Sequence, residues 1–202
     1  MARPRPGLTR GSILRAALHI IDESGLEACT MRAVAADLGV EAMSLYWHVP
    51  GKDALLDGVV ELVLREVEGE QGPVTTWQQS FMQFGHTFRG VLRRHPAVVP
   101  LVVSRPMTAY TAAAQSAERT LGLLGAAGFD RATAVRVVRT MGRFVVGSTL
   151  LELGVADAPR APRDEPALAD LVDAVQTDDP AEFLTFGIET MIAGLEERLR
   201  RA

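Results

Sequence analysis

Cysteine occurs once in this chain of 202 residues, at Cys29, so no internal disulfide can form and one thiol by itself makes no metal site. Lysine also occurs once, at Lys52; the other 20 of the 21 basic residues are arginine. Aromatic residues make up only 5% of the sequence. No apolar run reaches the roughly 20 residues that a membrane-spanning helix needs. The basic start "MARPRPGLTR" leads into an amphipathic segment rather than an apolar signal core. No nucleophile–base pair, glycine-rich phosphate loop or metal-ligand spacing stands out. The expectation is a cytoplasmic protein with no membrane segment, no catalytic role, no cofactor and no metal.

What is present is an ordinary globular mixture, 48% hydrophobic and 23% charged, with charge spread unevenly around a net of −4. Arg3, Arg5, Arg10 and Arg15 crowd the first fifteen residues, where no acid occurs, while residues 53–202 carry a net −5. A basic head on an acidic body suits a protein whose N-terminal end meets a polyanion. A solubilising Arg/Pro tail would look the same on charge alone.

Periodicity is helical throughout, and the fold class expected is all-α. Thr9 is a good N-cap for a first helix running to Ser24, with Gly25 as its stop. Two short helices follow, Met31 to Leu38 and about Ala42 to His48, before the Pro50-Gly51 break. Longer helices are expected at about 52–70, 76–95, 97–104, 108–127, 131–153 and 181–200, with a Pro-rich loop at 156–166 and a short helix near 167–175. Residues 1–52 would form one domain, 53–72 a connecting helix, and 73–202 a larger helical body.

Within the stretch "TMRAVAADLGVEAMSLYWHV", residues 30–49, the spacing fits a helix-turn-helix. Val34, Leu38, Val40 and Leu45 are the apolar positions that hold two short helices together, and Ala35 is small where they approach. Gly39 suits a sharp turn that needs positive φ. The outward positions Ala42, Met43, Ser44 and Tyr46 are then free to enter a major groove. Any tight helical hairpin shares part of this pattern. Lys52 stands just beyond "PG", where the next helix offers free N–H groups and a positive dipole end, a setting suited to a phosphate.

The segment "GLEACTMRAVAADLGVEAMSLYWHVPGKDALLD", residues 25–57, resembles the DNA-binding domain of TetR-family transcriptional repressors. Its "LYWHV", lysine and "LLD" are similar to the tetracycline repressor subgroup, and the likeness thins through "TW", "FR", "SRP", "GF" and "GIETMIAGLE". The resemblance implies a three-helix DNA-binding domain followed by a helical effector-binding and dimerisation domain. Lys52 would contact a phosphate, with Tyr46, His48 and Thr30 as further backbone contacts. Base reading would fall to Arg32, Ala42, Met43 and Ser44, Arg32 being able to pair with guanine. Of the two aromatics, Trp47 is expected to serve mainly as the anchor of the short helix, adding to the DNA contact.

For the body, the resemblance implies a homodimer built from the helices at 131–153 and 181–200. The last helix carries two apolar stripes: Leu184, Ile188, Met191, Leu195 and Leu199 on one, Phe183, Phe186, Gly187, Thr190 and Gly194 on the other. Gly142, Val145 and Thr149 are expected to join the second stripe at the interface, Gly142 and Gly147 allowing close approach. Trp77, Phe81, Phe84, Phe88 and Leu92 form an aromatic stripe that is either core or the wall of an effector pocket. Leu101, Arg105, Pro106, Tyr110 and Glu152 complete the expected effector set, Arg105 alternatively making a salt bridge.

The tetracycline repressor holds its drug as a magnesium chelate through a histidine and a glutamate. Leu101 stands at the histidine position here, and Glu152 lies near the second, about one residue out of register. Leucine offers Mg²⁺ no ligand. His19, His86 and His95 have no evident partners in the pattern. The functional expectation is a ligand-responsive dimeric repressor of a palindromic operator, released by a mainly apolar or aromatic effector. Other readings are a regulator of the same fold that activates or has no small-molecule trigger, and a helical enzyme or binding protein with a vestigial DNA head.

Overall fold

Residues 8–105, 110–153 and 178–201 are described by a computed structural model, and all regular structure among them is helical. The expected Pro-rich loop at 156–166, the short helix near 167–175, and Pro106 lie outside the described residues. No helix among the described residues is long and apolar enough to cross a membrane. The chain divides into two compact units, residues 1–69 with 94–114, and residues 70–93 with 115–202. The first unit thus takes up the connecting helix, and also a segment expected in the body.

In the first unit, α1 spans Arg10–Ser24, opened by a reciprocal cap. Ser12 N donates to Thr9 Oγ1 at 3.1 Å and Thr9 N donates to Ser12 Oγ at 3.0 Å, which satisfies two N–H groups that a helix start leaves orphaned. Gly25, at φ 82°, ends it. After a short 3₁₀ turn, Leu26–Ala28, come α2, Met31–Leu38, α3, Ala42–Tyr46, and α4, Lys52–Glu70. Ile13, Ala17, Ile21, Val34, Leu45 and Val49 are fully buried in this unit, as are Leu55, Val59, Val60 and Val63 of α4. A second 3₁₀ turn, Pro96–Val98, and α6, Val99–Ser104, add Val98, Val99, Leu101 and Val102 to the buried set. Those apolar residues are the physical reason that 94–114 groups with the N-terminal helices.

The second unit is built on α5, Trp77–Arg94, α7, Thr111–Ala126, α8, Arg131–Glu152, and α9, Pro180–Arg201, less the few end residues that fall in the first unit. Trp77 packs edge-on against Phe81 and Phe129, with ring centroids 5.6 and 5.9 Å apart. Phe81, Phe88, Leu92, Leu124, Met141, Val145, Leu184 and Ile188 are buried around this cluster. Helix α5 has no side chain at Gly85 because Ile188 of α9 occupies the place a Cβ would take. Ser80 and Thr120 hydroxyls, both buried, satisfy each other at 2.9 Å.

The tightest constraint on the backbone is between α2 and α3. Gly39 sits at φ 65°, ψ 36°, where a Cβ costs energy. Gly39 N donates to Ala36 O at 3.1 Å and Val40 N to Ala35 O at 2.9 Å, the paired bonds of a Schellman motif. Gly39→Ala is expected to destabilise the protein by about 1–2 kcal/mol, because left-handed φ strains any L side chain. Urea denaturation checks it: the midpoint should fall with the slope unchanged.

Candidate nucleic-acid interface

The reading surface starts from the caps of α2. Thr30 is its N-cap, accepting from Ala33 N at 3.1 Å, which leaves its hydroxyl hydrogen free for an outside acceptor. Arg32 is exposed in the first turn. Val34, Ala35 and Leu45 are buried, while Leu38 and Val40 are half-buried at the edge of the same contact. Helix α3 is two residues shorter than expected, ending at Tyr46. Ala42 and Ser44 are half-buried on it, and Met43 stands 72% exposed.

Trp47 corrects the sequence reading: it is 88% exposed and anchors nothing in this chain. The anchors are Leu45 and Val49, both fully buried. The reason is angular. At about 100° per residue, a position two beyond Leu45 lies on the opposite side of the turn, and Trp47 keeps helical φ and ψ of −67° and −23°. Tyr46 and His48 are also exposed. Large exposed aromatics are informative where exposed leucines are not. Met43, Tyr46 and Trp47 leave large apolar surface uncovered by the described residues of the unit.

Lys52 is the first residue of α4 and is exposed. It lies close enough to Cys29 to act on it: burial pushes the Cys29 thiol up, with the Lys52 charge partly offsetting this. Thr30, Arg32, Ala42, Met43, Ser44, Tyr46, His48 and Lys52 therefore all belong to one unit, and each has exposed or partly exposed surface.

The expected effector residues divide between the units. Leu101, Arg105 and Tyr110 belong to the first, where Leu101 is buried core. Arg105 Nε donates to Asp57 Oδ1 at 2.6 Å and Tyr110 Oη donates to the same oxygen at 3.4 Å. Arg105 thus makes the salt bridge expected as the alternative to an effector contact. Burial raises the Tyr110 hydroxyl, and the charge of Asp57 adds to this, so it remains a proton donor. Phe81, Phe84, Phe88 and Glu152 belong to the second unit. Phe81 and Phe88 are core; Phe84 is half-buried, 5.3 Å from the Phe88 ring. Glu152 is held by Arg89 through two bonds, 2.7 and 2.8 Å, with Arg93 at 3.3 Å. A carboxylate shared by two guanidiniums is a poor ligand for a cation or effector. No group of three or more histidine, cysteine or acidic residues that could hold a metal occurs among the described residues.

Of the expected interface residues, Phe183, Phe186, Thr190 and Gly194 are exposed on α9, Phe186 by 68%. Gly142 has open space where a Cβ would stand. Val145 and Thr149 correct the expectation, since both are fully buried with Met141 on one inward stripe of α8 at i, i+4 spacing. Gly187 also serves this chain's own packing, because the Phe144 ring fills its Cβ position. His86 is exposed, with Nε2 3.4 Å from Thr185 Oγ1. His95, expected to stand alone, lies between two carboxylates, Asp22 and Glu66. Partners 73 and 29 residues away leave no signal in a local pattern.

Comparison with known proteins agrees with this build. Residues 13–59 match the family described as "Bacterial regulatory proteins, tetR family", and residues 70–199 match "Tetracyclin repressor-like, C-terminal domain". An HTH-type transcriptional regulator of Saccharopolyspora erythraea is 35% identical over 182 residues, 89% of this chain and 75% of that protein. The solved structure of ActR from Streptomyces coelicolor in complex with actinorhodin superposes with a TM-score of 0.77 at 27% identity, covering 94% of this chain and 95% of that one. A TetR variant from Acinetobacter baumannii AYE in complex with minocycline gives a TM-score of 0.77 at 29% identity, covering 96% of each chain. A helix-turn-helix with its reading face open, joined to a helical C-terminal unit, defines a DNA-binding transcriptional regulator rather than an enzyme. The chain belongs to the TetR family.

The placement of Trp47 separates packing from contact. Trp47→Ala should change stability by no more than about 0.5 kcal/mol, as for exposed positions generally. Leu45→Ala should cost about 2–5 kcal/mol. Thermal or chemical unfolding of the two variants side by side tests the assignment, and equal losses would restore Trp47 as the anchor.

Proposed function

We propose that this regulator is a homodimeric repressor that binds an inverted-repeat operator and leaves it when a mainly apolar or aromatic small molecule binds. The observation that carries the DNA-binding half is the exposure of Met43, Tyr46 and Trp47, with exposed Lys52 opening α4 in the same unit. Lys52 takes a phosphate, as a flexible point charge at a helix start is suited to do. Tyr46, His48 and Thr30 add backbone contacts. Arg32 and Ser44 read base edges, and Met43 and Ala42 offer only apolar contact, such as to thymine methyls. An operator read this way differs from one read by a more polar helix. Exposed Phe183 and Phe186 support a partner copy on α8 and α9, which would set two heads about 34–36 Å apart for successive major grooves.

The effector half rests on α5 and on two similar proteins with structures solved in complex with a small molecule, ActR with actinorhodin and the Acinetobacter protein with minocycline. Phe84 is the half-buried member of the aromatic stripe and is the residue proposed to meet the ligand. A magnesium chelate does not fit these residues: Leu101 is buried and lacks a donor, and the Glu152 carboxylate is engaged by Arg89. The effector is therefore recognised without a metal.

Two experiments test this. Selection of bound sites from random double-stranded DNA should enrich an inverted repeat. Lys52→Ala should weaken binding alike across sequences and lower the salt slope by about 1. No enrichment even at low salt would overturn the operator reading. Titration calorimetry with tetracycline should find no Mg²⁺-dependent binding in the low micromolar range; such binding would sink the metal-free effector.

A further inference from the structure

His95 directly follows α5 and opens the turn into α6. Its ring lies between two acids: Nδ1 is 2.8 Å from Asp22 Oδ2 on α1, and Nε2 is 3.1 Å from Glu66 Oε2 on α4. The His95 side chain is only 14% exposed. The other Glu66 oxygen accepts from Arg94 Nη2 at 2.6 Å. A neutral imidazole carries one N–H and can donate to one of these carboxylates while turning a lone pair on the other. Only the imidazolium donates to both.

The position of the bridge gives it a purpose. Eight residues before Asp22, Leu14 of α1 lies where a Cβ on Gly58 would stand, and Gly58 is eight residues before Glu66 on α4. An apolar contact and an ionic one therefore join α1 to α4 at points about 12 Å apart along each helix. Helix α1 supplies Ile13, Ala17 and Ile21 to the core of the head that carries α2 and α3. Its pose on α4 determines where the reading face points relative to Lys52.

We propose that His95, in its imidazolium form, is a positioning residue for DNA binding: it latches α1 to α4 and makes operator affinity depend on pH. The proposal rests on the operator reading above. The charged groups facing the ring are Asp22 from α1, Glu66 from α4 and Arg94 from α5. Burial tends to raise the Glu66 carboxyl, but hydrogen bonds and charge from Arg94 and His95 outweigh it and hold it below the ordinary value. Glu66 thus stays ionised on the acid side, so the number of N–H groups on the ring decides whether both carboxylates receive a hydrogen bond. Below the imidazole range both bonds are made. As pH rises through it, one N–H is lost, one carboxylate faces a lone pair, and the latch weakens.

The test uses the full chain at constant ionic strength, at about pH 6 and pH 8, a span over which imidazoles in general change charge. Operator affinity is read by fluorescence anisotropy on the selected DNA, and hydrogen exchange of the α1 amides is read without DNA. His95→Gln removes the charge, and His95→Arg keeps it at every pH. His48 is exposed on the proposed DNA face, so the reading is the difference between wild type and variant. Wild type should lose about fivefold more affinity than His95→Gln between the two pH values, the low end of usual coupling between sites. His95→Arg should show no more pH dependence than His95→Gln, and protection of the amides at the end of α1, measured relative to their base-catalysed intrinsic exchange, should fall with pH only in wild type. Should His95→Gln fail to fold, Asp22→Asn, which spares His95 and Glu66, carries the same expectation. Identical pH profiles for wild type and variant, in affinity or in exchange, overturn the proposal. Absence of DNA binding by wild type at both pH values defeats the operator reading instead, and the exchange comparison then decides the latch alone.

Discussion

A five-residue helix cannot sustain itself, because forming its first turn fixes several residues for one hydrogen bond. Helix α3 is such a helix, and the DNA-facing end of the protein follows from how it is held. Two side chains, Leu45 and Val49, insert fully into the head. The αL turn at Gly39 and its paired bonds deliver the chain to α3 at a fixed angle. Because so few residues do the holding, the others are released outward. Met43, Tyr46 and Trp47 stay exposed at an apolar cost that a free surface does not recover. The brevity of the helix and the openness of its reading face are one constraint seen twice.

Helix α4 has a second role besides starting at Lys52. Asp57 and Glu66 on it receive four side chains from the end of α5 and the segment that follows: Arg105 and Tyr110 on Asp57, Arg94 and His95 on Glu66. Apolar Val98, Val99, Leu101 and Val102 bury themselves between those two ends. Exposed ion pairs contribute little each. Here they fix the ends of a short apolar plug, where register matters more than strength. This is why Arg105, a natural candidate to grip an effector, is already engaged.

Local patterns carried the reading far where the physics is local. Thr9, Gly25, Thr30 and Gly39 cap and turn the chain at the positions their side chains and φ values suggest. The aromatic stripe on α5 was visible at helical spacing, though spacing could not separate Phe84, half-buried, from Phe81 and Phe88 in the core. Pairings across distance were not visible. Glu152 with Arg89, 63 residues apart, looked like a remnant of an effector site until its carboxylate was found occupied. His95 looked solitary for the same reason. Trp47 differs: the resemblance implies that one aromatic of the short helix anchors it, and the angle from Leu45 decides against Trp47.

The glycines of α8 and α9 show the limit most clearly. A glycine in a helix costs about 1 kcal/mol against alanine, so each one needs a reason. Gly187 has its reason inside this chain, since the Phe144 ring fills the space. Gly142, Gly147 and Gly194 have none among the described residues, for their Cβ positions are open. The family resemblance put Gly142, Gly187 and Gly194 on one interface; the structure separates the glycine that admits a neighbour in its own chain from those with open space at Cβ. Beside the open glycines lie Phe183, Phe186 and Leu151, large apolar side chains left in water. Open glycines allow close backbone approach and exposed phenylalanines reward it. A second copy of the same helices, as proposed above, accounts for both with one contact.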